Sequence, residues 1–317
     1  MERLSWLRQW QIRPEESMAI SDSMIAMRPD LFNAYGTKAT TLIVLKGNYL
    51  EAEKYTNKSL TLFDGSWVKI YLGGIYIKTN RKVQGVKYYE DLMYNTNISS
   101  DDKSFLIGYF VEAISSFRDY EILKKLTAYN EKYNIAKVSQ QKILKLAEGI
   151  MYKELKQYDK ADSIFKVVLA MEDPLPSLNI EALSELGDMA YKKRQFAQAK
   201  AYFDESYRLL FPMHWDYLIK IEGTALNHLR FYTHNNDTEK IKFWINLLDT
   251  HRPFDWQTPI AHAILAAKNK NKKETLRFLQ KAVDLYLPLK EHILEEEAFV
   301  FLHGNRKFNK ILKKINQ

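Results

Sequence analysis

The histidines of this chain are the residues that most readily suggest chemistry, because all seven lie in its last third. They are His214, His228, His234, His251, His262, His292 and His303. A helical zinc site would place two of them four residues apart, and this spacing does not occur. We therefore predict no metal site and interpret the histidines as packing and turn residues. A ligand surface shared with their aromatic neighbours is the less favoured alternative: Trp215, Tyr232, Trp244 and Trp256.

Other patterns typical of enzymes are missing from the sequence. The chain contains no cysteine, which excludes disulfides, cysteine-ligated metals and thiol nucleophiles. It has no dinucleotide fingerprint, no Walker A sequence, no H-E-x-x-H and no G-x-S-x-G elbow. The carboxylates of 295–297 stand near a predicted helix start, where the helix dipole favours negative charge. We predict a protein that is not an enzyme and uses no cofactor; a catalytic site within 211–262 is a minor alternative.

Charge and hydropathy limit the kinds of partner. The net charge is +8, but Lys residues alternate with Asp and Glu through the predicted helices, so nucleic acid is not expected as the partner. The densest basic run, KNKNKK at 268–273, falls at a predicted turn. No stretch approaches 18 continuous apolar residues, and the first residues lack the apolar core of a signal peptide. We expect no membrane span and a cytoplasmic location.

The elements that would position a binding site are indicated by an internal repeat. The stretch EGIMYKELKQYDKADSIF (148–165) is echoed by LGDMAYKKRQFAQAKAYF (186–203). Gly149 and Gly187, Ala161 and Ala199, and Phe165 and Phe203 are each separated by 38 residues. Related copies begin near positions 35, 67 and 105. Because the chain has only 11 Gly and 8 Pro, we interpret each copy as a pair of helices and not as strands.

The spacing of small and aromatic residues explains why such pairs would form. A glycine in the first helix and a small residue in the second allow the two to cross closely, as at Gly73 and Gly85. An aromatic residue one turn later, such as Tyr89, then fills the space toward the next unit. A single pair buries only part of its apolar face, so neighbouring pairs must stack.

These residues resemble the tetratricopeptide repeat (TPR). The sequence Leu72-Gly73-Gly74-Ile75-Tyr76 matches the L-G-x2-Y part of its pattern, and Ala161/Phe165 and Ala199/Phe203 match A-x3-F. The resemblance implies an all-α fold, a right-handed α-solenoid of antiparallel helix pairs. We expect one solenoid over 1–317, divided into N-terminal helices (1–32), well-matched repeats (33–212), divergent repeats (213–288) and C-terminal capping helices (289–317).

The last segment has a resemblance of its own. Residues 295–315 are similar to the closing element that follows such repeats in bacterial multidomain regulators, and the matching residues are Phe299, Leu302, Lys307, Phe308, Ile311 and Leu312. We expect this segment to cover the open core face at the end of the array. The similarity also suggests a second function, a sensor or regulatory module of a larger bacterial signalling or transcription-regulating protein.

The preferred hypothesis is a non-enzymatic scaffold that binds a protein or peptide along its concave face. In the TPR family the first helices line that face, and chaperone-binding members use Lys and Asn there to clamp a terminal carboxylate. The corresponding pairs here supply no such clamp, so we predict no binding of chaperone tails: Gly36/Thr40, Ile70/Gly74, Gly108/Glu112, Leu146/Ile150 and Ser184/Asp188. Our candidates for the partner-binding groove are Trp67, Tyr109, Asp188 and Tyr191, with internal packing as the alternative. The partner's identity and the oligomeric state are not indicated.

Overall fold

The regular elements of the protein are helices. The computed structural model describes residues 1–172, 177–211 and 215–315, with the backbone alone for 215–220 and 222. Within these ranges there are eighteen α-helices and one 3-10 helix, and no strand. The predicted all-α fold is confirmed.

Short turns connect successive helices. The first half contains α1 Glu2–Trp10, α2 Pro14–Met27, α3 Phe32–Lys46, α4 Tyr49–Leu62, α5 Ser66–Lys78, α6 Lys82–Tyr94, α7 Ser100–Ser115, α8 Tyr120–Tyr133 and α9 Val138–Glu154. The second half contains α10 Tyr158–Ala170, α11 Ser177–Lys192, α12 Phe196–Leu209, α13 Trp215–Asn235, α14 Thr238–His251, α15 Gln257–Lys268, α16 Lys272–Asp284, α17 Glu291–Leu294, the 3-10 helix η1 Glu297–Leu302 and α18 Arg306–Leu312.

The turn inside each central unit repeats with the period of the sequence. Four left-handed residues with φ between 52° and 60° are spaced 38 residues apart: Asn80, Arg118, Lys156 and Arg194. After three of these residues, the backbone amide of the next residue donates a hydrogen bond to a carbonyl near the end of the preceding helix. The bonds run from Arg81 to Tyr76 (2.8 Å), from Gln157 to Tyr152 (2.8 Å) and from Gln195 to Ala190 (2.9 Å). Such bonds satisfy the terminal carbonyls of a helix and end it. The repeat is therefore a repeat of backbone geometry.

Glycines make room for aromatic rings where the two helices of a unit cross. A Cβ atom on Gly149 would lie 2.6 Å from the Phe165 ring, and one on Gly187 would lie 2.9 Å from the Phe203 ring. Both rings are fully buried. The Phe203 ring also reaches the next unit, with its centroid 4.9 Å from that of Phe231. Each glycine thus leaves space for the aromatic ring of its own unit, and the ring of Phe203 also packs against the next unit.

Successive helix pairs stack into a solenoid. The two helices of each pair pack against one another, and from α5 to α15 the first helices of neighbouring pairs also pack side by side. These first helices, α5, α7, α9, α11, α13 and α15, form the inner layer of the solenoid, and the second helices lie outside them. The predicted α-solenoid of helix pairs is confirmed.

The solenoid closes on itself through Arg252, at the end of α14. Its guanidinium donates to the carbonyls of Ile43 (2.8 Å) and Val44 (2.9 Å) in the last turn of α3. It also donates to the hydroxyl of Tyr49 (3.0 Å) and lies 3.6 Å from the carboxylate of Asp255. A cation is favoured at these carbonyls because they form the negative end of the α3 dipole. We call this contact the Arg252 clasp.

The clasp is supported by apolar packing and a tight turn. Val44 and Leu45 belong to the same buried cluster as residues of α11 to α18. The turn after α3 passes through Gly47, whose φ is +65° and whose Cβ would lie 3.3 Å from Asp255. Only a residue without a side chain combines this conformation with so close an approach. The first and last thirds of the described chain therefore share one core.

The C-terminal segment packs against the last units of the array. Ile293, Phe299, Leu302 and Phe308 are fully buried and belong to the cluster that continues from α15 and α16. Asn305 caps α18 by accepting from the amides of Lys307 (2.9 Å) and Phe308 (3.1 Å). Residues 289–312 are thus an integral part of the fold, and we call them the closing segment.

Two glycine substitutions test the crossing geometry. Gly149→Ala should lower the free energy of unfolding by about 1–3 kcal/mol, because its methyl group overlaps the buried Phe165 ring. Gly223→Ala is the matched control: it also lies inside a helix, but its Cβ would meet nothing within 4 Å. It should be neutral or stabilise by up to about 1 kcal/mol. Urea unfolding measures both values, and equal effects would contradict the proposed crossing.

Removal of the Arg252 clasp should be costly. We expect Arg252→Leu to lower the free energy of unfolding by about 3–5 kcal/mol, since it leaves buried carbonyls and the Asp255 carboxylate without the guanidinium. Arg277→Leu removes an arginine paired with Glu274 on the surface, 60% exposed, and should cost less than about 1 kcal/mol. Similar losses in the two variants would show that the clasp does not hold the structure together.

Candidate functional site

The inner layer of the solenoid encloses two adjoining cavities. The larger, which we call the inner cavity, has a volume of about 700 Å³ and is lined from α7 to α15 and by the closing segment. The smaller, of about 240 Å³, is lined mainly by α3, α5, α7, α9 and α11. Ser116, Ile150, Glu185, Gly223 and Gln257 line both. The Arg252 clasp joins α14 to α3 beside the smaller cavity, which Arg252 itself lines, and both cavities remain partly open to solvent.

A buried ionic network crosses the wall of the inner cavity. Lys153 of α9 forms ion pairs with Glu185 and with Asp188 (3.1 Å), both on α11. Asp188 also pairs with Lys192 at 2.8 Å, one helical turn further on. Lys153, Glu185 and Asp188 are all buried. The network therefore ties two neighbouring units together through charges that face the cavity.

The network continues from α11 through α13 to the closing segment. Asn227 donates to Glu185 (3.0 Å) and accepts from the guanidinium of Arg230 (2.9 Å). Arg230 in turn donates to Glu296 at 2.6 Å. The carboxylate of Glu296 also accepts from the amide of Ala298 (3.4 Å), at the start of η1. One chain of polar contacts thus reaches from α9 to the C-terminal cap.

Lys153 and Asp188 stay charged at neutral pH. Burial lowers the pKa of the Lys153 ammonium, but Glu185, Asp188 and Glu154 outweigh it and hold that pKa above its ordinary value. For Asp188, burial raises the pKa, and the ammonium groups of Lys153 and Lys192 more than offset this, so its pKa is lowered. Neither group has the near-neutral pKa that favours proton transfer in catalysis.

The closing segment also contacts the α7–α8 turn across the inner face. The ring of His292 donates from Nε2 to the carbonyl of Ser116 (2.8 Å). Arg118, in the left-handed position of that turn, pairs with Glu154 (2.9 Å) and with Glu295 (2.8 Å). The segment therefore covers the end of the array and also forms part of the cavity wall.

Two tyrosines form the aromatic side of the smaller cavity. The hydroxyl of Tyr109 donates to that of Tyr71 (3.0 Å), and their ring centroids lie 4.9 Å apart, edge to face. Burial raises the pKa of Tyr71 to about 12. Both hydroxyls are therefore protonated at physiological pH.

The structure separates the four residues predicted for the groove. Asp188 and Tyr191 both line the inner cavity, while Tyr109 lines the smaller one. Trp67 is not among the described lining residues of either cavity. Its ring lies against Gly36, where a Cβ would approach to 2.3 Å, and 6.4 Å from the ring of Trp6. Trp67 thus packs between α1 and α3.

Several cavity residues were missed by the sequence analysis. Gly223, Asn227, Arg230 and Gln257 line the inner cavity from units whose match to the repeat is weak. The glutamates at 295–297, whose position near a predicted helix start indicates only a favourable dipole interaction, also line this cavity. Four of the five predicted concave pairs contribute residues to the lining of a cavity: Gly74, Glu112, Leu146, Ile150 and Asp188.

The described histidines are dispersed over the structure, and of these His234 and His292 line the same cavity. His228 is fully buried, 4.4 Å from the ring of Trp244, and its Nε2 is 3.1 Å from the hydroxyl of Ser206. His262 pairs with Asp249 on the opposite side of the α14–α15 turn, and His292 lies on the cavity wall. His214 falls outside the described residues. No group of three or more potential metal ligands occurs in the described part of the chain.

Comparison with known proteins provides structural neighbours alone. No family model matches the sequence, and no curated protein matches it. Human IFIT1 in complex with PPP-AAAA has a TM-score of 0.51 at 14% identity, over 86% of this chain and 69% of that one. The protein is an α-solenoid with a TPR-like fold. None of the described helices is both long enough and apolar enough to cross a bilayer.

Two further neighbours are less similar. Yeast Tom70 has a TM-score of 0.48 at 14% identity, over 95% of this chain. The C-terminal part of a TPR repeat-containing protein from Cytophaga hutchinsonii has a TM-score of 0.38 at 16% identity, over 88% of this chain and 99% of that one. The present chain spans 61% of the Tom70 chain.

The buried histidine His228 should make stability depend on pH. Burial holds its pKa well below the ordinary value of 6.5. Below pH 6.5 the unfolded chain takes up a proton that the folded chain does not, so stability falls as the pH drops. We expect a loss of about 1 kcal/mol from this residue between pH 7.5 and 5.5.

Urea unfolding of the parent and of His228→Gln at both pH values measures this contribution. The variant should lose less stability than the parent on acidification, whatever its stability at pH 7.5. His251 and His292, whose pKa values are also lowered mainly by burial, remain in both proteins and contribute equally. If the parent and His228→Gln lose the same free energy of unfolding between pH 7.5 and 5.5, the assignment of this pH dependence to His228 is wrong.

Proposed function

We propose that the protein is a non-enzymatic scaffold that binds a short segment of a partner protein in its inner cavity. The observation that carries this proposal is the cavity itself, about 700 Å³ on the inner face of a solenoid. Volumes of about 300–1,000 Å³ are typical of sites that enclose a small ligand. A peptide would therefore place only a few of its residues inside, and a long helix would not fit.

The state of the charged residues supports binding over catalysis. Lys153, Asp188 and Arg230 face the cavity, but each is held by an oppositely charged partner within the protein. These ion pairs fix the shape of the wall. A preformed wall reduces the conformational cost of binding a flexible peptide.

The charge of the cavity favours a peptide over a nucleic acid. The solved structure of human IFIT1 contains PPP-AAAA, an oligonucleotide with a triphosphate. Here the lining of the inner cavity includes eight carboxylate residues and five Lys or Arg residues. An excess of carboxylates repels phosphate groups, so the present cavity is poorly matched to such a ligand.

Gly223 offers a direct test of the cavity as a binding site. It lies inside α13, is exposed, and a Cβ there would meet nothing within 4 Å. Gly223→Trp would fill part of the cavity without a clash at the backbone. We expect peptides selected by phage display on the parent protein to bind Gly223→Trp at least about tenfold more weakly by calorimetry.

Gly223→Ala is the matched control, since a methyl group removes little volume and should leave the affinity within about twofold. The thermal unfolding of both variants shows whether the fold is kept. Selected peptides that bind Gly223→Trp as tightly as the parent would show that binding occurs elsewhere. Failure to select any peptide would contradict the proposed function.

A further inference from the structure

Two buried oxygen atoms on the inner cavity lack a hydrogen-bond donor. The side chain of Asp188 is 1% exposed, and its Oδ1 has no partner among the described residues, although Oδ2 pairs with Lys153 and Lys192. Gln257 is 9% exposed, and its Oε1 is likewise without a donor within the described chain. Buried acceptors are seldom left unsatisfied. A ligand rich in N–H donors would satisfy both.

The cavity also has an excess of negative charge. Four of its eight carboxylates come from the closing segment: Glu291, Glu295, Glu296 and Glu297. Glu295 and Glu296 pair with Arg118 and Arg230. In the part of the chain that the structure describes, Glu291 and Glu297 have no cation within the 4.0 Å that defines an ion pair. Because the segment is anchored by buried Ile293 and Phe299, these charges are fixed at the cavity.

An aromatic group lies beside these carboxylates. The ring of Tyr191 is 5.5 Å from that of His234 and 6.0 Å from that of Phe196. Tyr191 and His234 both line the cavity. Glu296, Glu297 and Asp188 line the same cavity as Tyr191, and burial followed by the charges of these three carboxylates raises the pKa of the Tyr191 hydroxyl. Aromatic faces attract ammonium and guanidinium groups.

We propose that the inner cavity recognises a Lys or Arg side chain of the bound peptide, whose N–H groups are held by Asp188 Oδ1 and Glu297 beside the ring of Tyr191. This specificity rests on the proposed function, because it assumes that a peptide enters the cavity. The required chemistry is an alkylammonium or guanidinium group. A free polyamine would present the same group, so the test includes one.

The test uses four acetylated, amidated nine-residue peptides of Ala and Gly that differ at the central position. That position is Lys, Arg, norleucine or Glu, and spermidine is titrated in parallel. Calorimetry with the full chain should show the Lys or Arg peptide binding at least about tenfold more tightly than the norleucine and Glu peptides. The preference should decrease with added salt, because charge attraction is screened.

Variants connect this preference to the named residues. Glu297 is exposed and has no ion-pair partner among the described residues, so Glu297→Gln should leave folding unchanged and weaken the Lys peptide by about twofold to fivefold. Asp188→Asn should weaken it by about tenfold or more. In both variants the norleucine peptide should lose less affinity than the Lys peptide. Glu131→Gln, an exposed glutamate on the outer helix α8, is the matched control and should have no effect.

The possible outcomes separate the specificity from the proposed function. If the Glu or norleucine peptide binds as tightly as the Lys peptide, and Gly223→Trp abolishes this binding, the cation specificity is wrong and the binding cavity stands. If spermidine binds at the Asp188 site and no peptide does, the proposal that a peptide supplies the cationic group is wrong. If no peptide binds and no ligand responds to Gly223→Trp, the proposed function itself is overturned.

Discussion

The rest of the structure depends on the contact between Arg252 and the end of α3. A solenoid built from helix pairs would ordinarily leave a continuous open groove, since each unit contacts only its neighbours. Here the guanidinium satisfies carbonyls at the end of a helix more than 200 positions earlier in the chain. Together with the packing of Val44 and Leu45, the contact joins α3 to the last units of the chain. The inner face of this solenoid holds the cavity of about 700 Å³.

The closing segment gives this cavity its chemical character. It buries Phe299 and Leu302 against the last units and presents a row of glutamates to the interior. Two of these neutralise Arg118 and Arg230, and the remaining charge gives the cavity its negative excess. The segment that ends the array therefore also contributes four of the eight carboxylate residues that line the cavity. The alternative of a regulatory module within a larger protein stays a hypothesis.

The sequence predicted what is local and periodic. The positions of Gly149, Gly187, Phe165 and Phe203 follow from a spacing that recurs along the chain, and the structure confirms their crossing role. Asp188 lines the inner cavity, but nothing in the sequence pattern indicates its partner Lys153. The closure of the solenoid could not be predicted, because it depends on small rotations accumulated over every unit.

Trp67 shows another limit. An aromatic residue occupies the same position in the sequence repeat whether its side chain packs internally or lines a groove. The division into 1–32, 33–212, 213–288 and 289–317 remains a prediction.

The most direct test of the account measures the distance across the clasp. The chain has no cysteine, so spin labels can be placed solely at Leu50→Cys and Phe254→Cys, both exposed positions. The amide of Phe254 lies 3.4 Å from the carbonyl of Lys46, which is four residues from Leu50, so the labelled backbones are less than about 20 Å apart. A closed solenoid predicts a narrow distribution of short distances by electron paramagnetic resonance, which Arg252→Leu should broaden and lengthen. Long, broad distances in the parent protein would contradict the account.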